Sequence, residues 1–250
     1  MAALRPQSAR QRLILAVDTP TVDEARRMID ELYDYVGVFK IGLEMIMNEG
    51  PQVLKVFQDR DLRVFFDGKF LDIPNTVSKA TEAVARRGVD MLTVHATGGR
   101  KMLEACVVAA RNASITAGKA EPIVLGVTVL TSINQQTLND ELRVPGSVSE
   151  QVINLAKVCA ASGLTGIVAS PEEVAQIRRV VGEEMILVTP GVRPQWADAN
   201  DQSRVMTPAD AIKAGADYLV IGRPITASAD RKDAAKRIVD EMDSAMAAVQ

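Results

Sequence analysis

Histidine is nearly absent from this chain. His95 is the only one in 250 residues, alongside two cysteines, Cys106 and Cys159, and a single tryptophan. With one histidine and two distant cysteines, no zinc-like cluster of nitrogen and sulfur ligands is available. Both cysteines fall in Ala-rich stretches of helical character and read as small buried hydrophobes rather than as a bridge. Aromatic residues make up 4% of the chain and the net charge is −3. Neither the stacking surface of a nucleic-acid binder nor the basic field of a protein held at an anionic membrane is present. No apolar run approaches transmembrane length, and the first dozen residues carry Arg5, Arg10 and Arg12 without the apolar core of a secretory signal. A reduced, cytoplasmic setting is the expectation. The glycine fingerprint GxGxxG is also missing after the first apolar run, which weighs against a dinucleotide fold.

What is present suffices for a substantial core: 47% hydrophobic and 24% charged residues, the balance of an ordinary globular protein. Nearly all-apolar strands are expected at 13–18, 36–42, 63–69, 91–96, 122–130, 166–170, 185–190 and 218–222. Between them lie segments of helical pattern, and residues 230–249 form a closing amphipathic helix. Alternation of this kind predicts a parallel sheet covered by helices. Eight units in this length fit an α/β protein with a single (β/α)8 barrel over residues 13–250, preceded by a loose polar arm at 1–12. A doubly wound open sheet is the other topology with this alternation.

The chemistry is expected where the third strand gives way to a helix, at Val64–Thr76, VFFDGKFLDIPNT. Side chains alternate along a strand, so Phe65, Asp67 and Lys69 are expected on one face, with Asp72 three residues on. Charges on an apolar strand face are costly to desolvate unless they meet each other or a ligand. Asp18 and Lys40 occupy the ends of the first two strands, so two carboxylates and two lysines are placed to share one pocket at the carboxyl rim. A lysine set between carboxylates stays an ammonium, hence a proton donor rather than a Schiff-base nucleophile. Taken singly, Asp67 and Lys69 could be a structural ion pair and Asp72 the N-cap of a helix beginning at Pro74. Four such residues on successive strand ends favour function. His95, beside Gly98-Gly99, reads as a structural hydrogen-bonder rather than a base.

The last two strand ends are the second informative region. Thr189-Pro190-Gly191-Val192-Arg193 and Gly222-Arg223-Pro224-Ile225-Thr226 each join glycine to arginine. In this fold the loops after strands seven and eight commonly bind phosphate, glycine letting the backbone approach and arginine supplying a forked cation. The polar loop at about 194–206 is placed to fold over such a group as a lid.

With D-G-K-F-L-D-I-P-N-T at 67–76, F-K-I-G at 39–42, T-P-G-V-R-P at 189–194 and I-G-R-P-I-T at 221–226, the chain resembles the orotidine 5′-monophosphate decarboxylase family in its bacterial form, from about Leu13 to the last helix. The resemblance implies a cofactor-free decarboxylation of orotidine 5′-monophosphate to uridine 5′-monophosphate, the last step of de novo pyrimidine synthesis. It implies a charged network of Lys40, Asp67, Lys69 and Asp72, with Lys69 protonating C6 and Asp67 near the substrate carboxylate. Asp18 and Lys40 would meet the ribose, and Thr131 the pyrimidine edge. Arg193, Gln202 and Arg223, with Pro190 and the Gly222 backbone, would hold the phosphate. It further implies a homodimer in which Asp72 and Thr76 reach the partner's site. Leu71 stands where many bacterial members carry histidine. Metal-dependent sugar-phosphate decarboxylases or aldolases share D-x-K-x-x-D and are the alternative within enzymes. A non-catalytic phosphate-binding barrel is the alternative outside them.

Overall fold

Eight parallel strands close into a barrel in chain order in the computed structural model, which describes residues 5–197 and 206–249. The strands are β1 (Leu13–Ala16), β2 (Val38–Ile41), β3 (Val64–Phe70), β4 (Met91–His95), β5 (Ile123–Val127), β6 (Gly166–Val168), β7 (Ile186–Thr189) and β8 (Tyr218–Ile221). Pairing of Ile14 with both Val38 and Val220 completes the circle. The helices are α1 (Ala9–Arg12), α2 (Val22–Leu32), α3 (Leu43–Glu49), α4 (Leu54–Gln58), α5 (Pro74–Ala85), α6 (Gly99–Ala117), α7 (Val148–Ala161), α8 (Val174–Val181), α9 (Pro208–Lys213), α10 (Arg223–Thr226) and α11 (Arg231–Val249).

Closure explains why the strands are apolar on both faces. Ile14, Val38, Phe65, Met91, Leu125, Val188 and Tyr218 fill the barrel interior. Alternate residues such as Leu15, Phe39, Phe66, Leu92 and Leu187 pack outward against the helical shell. Both cysteines are free and buried, and burial pushes the Cys159 thiol up to about 12. Among the described residues no helix is long and apolar enough to cross a membrane.

Two departures from the sequence reading matter. The first lies in the N-terminal arm, where residues 9–12 form the short helix α1, capped by the Ser8 hydroxyl and anchored by fully buried Ala9. Arg10 donates to the Tyr33 carbonyl at 2.7 Å and Arg12 to the Asp217 carbonyl at 3.1 Å, so this piece closes the floor of the barrel. The second is in β3, where regular alternation fails. Phe66 pairs with Leu92, yet the next partners are Phe70 and Val94, so β3 carries extra residues against β4. The extra length is absorbed around Lys69, whose φ is +45°.

Candidate active site

At the carboxyl end of the barrel, Lys40 and Asp67 are 8% and 7% exposed and face each other across β2 and β3. Lys40 Nζ lies 3.4 Å from Asp18 Oδ1 and 3.6 Å from Asp67 Oδ2. Lys69 Nζ sits 2.7 Å from the same Asp67 oxygen. Signs therefore alternate along Asp18, Lys40, Asp67 and Lys69. Gly42 makes room for the first pair, since a Cβ there would lie 3.3 Å from both Asp18 Oδ1 and Lys40 Nζ.

The bulge in β3 sets Lys69 in place. Its backbone N–H leaves the strand ladder and donates to Thr93 Oγ1 at 2.8 Å, while the Thr93 hydroxyl donates to Asp67 Oδ1 at 2.9 Å. One buried threonine on β4 thus holds both the backbone of the lysine and the carboxylate beside it. Gly68 permits the bend, because a Cβ there would fall 2.7 Å from the Phe66 ring and 3.0 Å from that of Phe70. Burial pushes the Asp67 carboxyl up, but Lys40 and Lys69, with the hydrogen bonds from Lys69 and Thr93, outweigh it and hold the group below the usual carboxylate range.

A cavity of about 220 Å³ opens above these residues. Lys40, Asp67 and Lys69 form its charged side, Phe65 and Val220 its floor, and Thr131, Ser132, Ser170 and Pro190 part of the opposite wall. Phe65 shares the face expected for Asp67 and Lys69, whereas Thr93, Ser132 and Ser170 did not emerge from the sequence. Thr93 carried a usable signal, since it shares a parity with Met91, which faces the barrel interior. Ser132 and Ser170 lie beyond the strand ends, where alternation gives no orientation.

His95 ends β4, half-buried. Burial and the charge of Lys69 hold its pKa below the usual value against the pull of Asp67. Its side chain has no hydrogen bond among the described residues, so the expected structural hydrogen-bonder is not what the structure shows.

Beside the main cavity lies a second, of about 400 Å³, lined by Arg193, Trp196, Ala197, Arg223, Pro224, Ala227 and Ser228. Arg193 is buried, and its backbone N–H donates to the Met206 carbonyl at 3.0 Å, next to a bridge between Val192 and Met206. That contact ties together the two roots of the segment between them. Gly222 directly precedes Arg223, the first residue of α10. Gln202 and most of the expected lid at 194–206 lie outside the described residues.

Asp72 and Thr76 stand apart from this arrangement. Both are exposed, and the Asp72 carboxylate accepts the Ile73 N–H at 2.6 Å. Ile73, not Asp72, is the N-cap of α5. Leu71 and Ile73, the chain neighbours of Asp72, are 56 and 66% exposed, and Leu43 and Met47 of α3 are 54 and 78% exposed. Among the described residues no three His, Cys, Asp or Glu side chains gather closely enough to share a metal ion.

A (β/α)8 barrel with interleaved lysines and aspartates over its mouth, and two arginines in the adjoining recess, has the form of a barrel enzyme whose site suits a small anionic molecule. Comparison with known proteins narrows the class. Residues 11–238 match the model of the orotidine 5′-phosphate decarboxylase / HUMPS family, and the chain belongs to that family. It is 48% identical to the orotidine 5′-phosphate decarboxylase of Heliobacterium modesticaldum over 96% of this chain and 98% of that one. It is 46% identical to the enzyme of that name from Moorella thermoacetica, over 94% and 93%. Among solved structures, the orotidine 5′-phosphate decarboxylase of Lactobacillus acidophilus superposes with a TM-score of 0.83 at 34% identity, covering 96% of this chain and 99% of that one.

Proposed function

We propose that this chain removes carbon dioxide from orotidine 5′-phosphate by fixed charge alone, with Lys69 delivering the proton that replaces it. The activity follows from the family. Near-half identity over almost the whole length joins the chain to enzymes named for that reaction, and it decarboxylates orotidine 5′-phosphate to uridine 5′-phosphate in pyrimidine synthesis.

The observation that carries the mechanism is the 2.7 Å contact of Lys69 with Asp67, in a network closed by Lys40. Breaking the bond from C6 to its carboxylate leaves an electron pair on C6 that the ring delocalises poorly. An ammonium already fixed beside C6 stabilises that charge as it develops, and preorganised electrostatics of this kind are often the largest catalytic term. The proton then passes from Lys69 Nζ to C6, leaving uridine 5′-phosphate and carbon dioxide. Asp67 lies near the departing carboxylate, Asp18 and Lys40 near the ribose, and Thr131 at the pyrimidine edge. Arg193 and Arg223, with Pro190 and the Gly222 backbone, receive the phosphate, whose binding energy contributes to ordering the reacting end. Gln202 belongs to the same set by resemblance.

The reading extends to a homodimer. Asp72 and Thr76 do not line their own cavity, and the exposed Leu71 and Ile73 beside Asp72 suit burial against a second copy. Asp72 would then complete the partner's network. Mixing inactive Lys69→Ala and Asp72→Ala chains should restore up to roughly a quarter of wild-type activity, because a hybrid dimer contains one site free of both lesions. Exchange of subunits without recovery would count against a shared site.

Loss of orotidine 5′-phosphate absorbance in chelator-treated buffer tests the reaction. Conversion to uridine 5′-phosphate at an undiminished rate is expected. Conversion that stops with chelator and returns with magnesium would instead support the metal-dependent sugar-phosphate relatives.

A further inference from the structure

Trp196 is the only tryptophan in the chain, and it stands in the recess that Arg193 and Arg223 line. A tight turn aims it there: the Ala197 N–H donates to the Pro194 carbonyl at 3.1 Å, directly after Arg193. Its ring is covered by Arg237 of α11, whose guanidinium carbon lies 4.2 Å from the ring centroid, and Arg237 in turn meets Asp233 at 3.7 Å on the same helix. The indole therefore meets the closing helix through Arg237 and shares the lining of the recess with the two arginines.

We propose that Trp196, stacked on Arg237, is a positioning residue for the substrate phosphate. It walls the recess and sets Arg193, three residues before it, against Arg223. This rests on the reading of the recess as the phosphate site. The physical basis is twofold. A guanidinium over an indole is an attractive contact even at a surface, and Trp is the best ring for it. The stack also places a third guanidinium against a wall residue of a cavity already lined by two, and low-dielectric walls let such charges act on one anion together. No proton, bond or electron moves at Trp196. Its effect passes entirely through the placement of the two arginines.

A single tryptophan makes the test direct. Emission from wild-type protein should change on titration with uridine 5′-monophosphate and not with uridine, because only the nucleotide fills the recess. Trp196→Ala should raise KM for orotidine 5′-phosphate about three- to five-fold, with a smaller change in kcat. Against orotidine, which has no phosphate, the same variant should match wild type. Arg237→Gln, on an exposed helix face where folding is not at stake, should reproduce the KM increase, and Arg237→Lys should restore most of it. Emission indifferent to the nucleotide would overturn the proposal. So would a Trp196→Ala variant that is folded by circular dichroism and loses equally on both substrates. If wild-type protein fails to convert orotidine 5′-phosphate at all, the parent reading falls. If it converts it and only these comparisons fail, the parent reading stands and the role of Trp196 does not.

Discussion

The two ends of this barrel carry ionic clusters of similar size and opposite design. At the floor, Arg12, Arg63, Asp90 and Asp217 each sit one residue before a strand. Arg12 and the two carboxylates are tied to the backbone, while Arg63 meets Asp90 and the Tyr218 hydroxyl. Asp217 accepts the Leu187 N–H at 2.8 Å and an Arg178 donor at 2.9 Å, and Asp90 accepts the Val64 N–H at 2.8 Å and Arg63 Nε at 3.1 Å. Arg178 also donates to the carbonyls of Gly182, Met185 and Gly215. At the mouth the lysines meet carboxylates only, two of the three contacts lie beyond 3.3 Å, and a cavity opens over them. A cluster tied to the amides and carbonyls of several strands and loops holds strands in register. One whose donors face a cavity has protons and charge to offer a ligand. Burial and charge count do not separate the two, whereas hydrogen-bond partners do.

The sharpest way to break that contrast is to exchange the readouts. Lys69→Ala should lower kcat/KM by about four orders of magnitude or more, since it removes both the proton donor and a preorganised charge. Its melting temperature should fall far less than that of Asp217→Ala, because Lys69 is half-exposed and Asp67 keeps Lys40 and the Thr93 hydroxyl as partners. A Lys69→Ala chain that still turns over at a tenth of the wild-type rate would remove Lys69 from the mechanism. Asp217→Ala should do the reverse. It leaves the Arg178 guanidinium without its buried counter-charge and the Leu187 N–H without an acceptor, a loss of about 3–5 kcal/mol by analogy with other broken buried pairs. Urea midpoints measure it, and kcat of the folded fraction should stay within two-fold of wild type. A stable Asp217→Ala protein would mean the floor cluster is not what holds β7 and β8.

The mouth was legible in the sequence because strand alternation is a local rule. Lys40 and Asp67 fall on inward positions of apolar strands, and their chain spacing suffices to bring them together once the barrel closes. What escaped depends on neighbours. The bulge in β3 arises from its length against β4, so alternation led to Lys69 on the right face for the wrong reason. Thr93 is one polar residue in an apolar run, and its importance lies in two partners on another strand. Helix α1 is too short to be stable alone, and its order comes from Ala9 and Arg12 docking on the floor. The floor charges were missed because a residue one step before a strand has no alternation to orient it.

Thr93 offers the finest test, because it touches the mouth without touching the cavity. Thr93→Val keeps the shape and removes the hydroxyl, so Asp67 Oδ1 loses a donor and the Lys69 N–H an acceptor. A cost of about 2 kcal/mol is expected at neutral pH from one hydrogen bond to a charged group and one stranded amide. Part of that cost must depend on pH. Asp67 is held below its ordinary carboxyl pKa in the folded protein, so its contribution to stability is complete above the unfolded value of 3.8 and fades as pH falls through the folded one. The Thr93 hydroxyl is one of the groups that lowers it, and the variant should titrate Asp67 closer to 3.8. The stability gap between wild type and Thr93→Val should therefore be widest near neutrality and narrow below about pH 4. Carboxyl chemical shifts of Asp67 followed through an acid titration, with melting temperatures at the same pH values, read both. A gap constant from pH 7 to pH 3 would mean that Thr93 serves the Lys69 backbone alone and that the Asp67 charge is set by the two lysines.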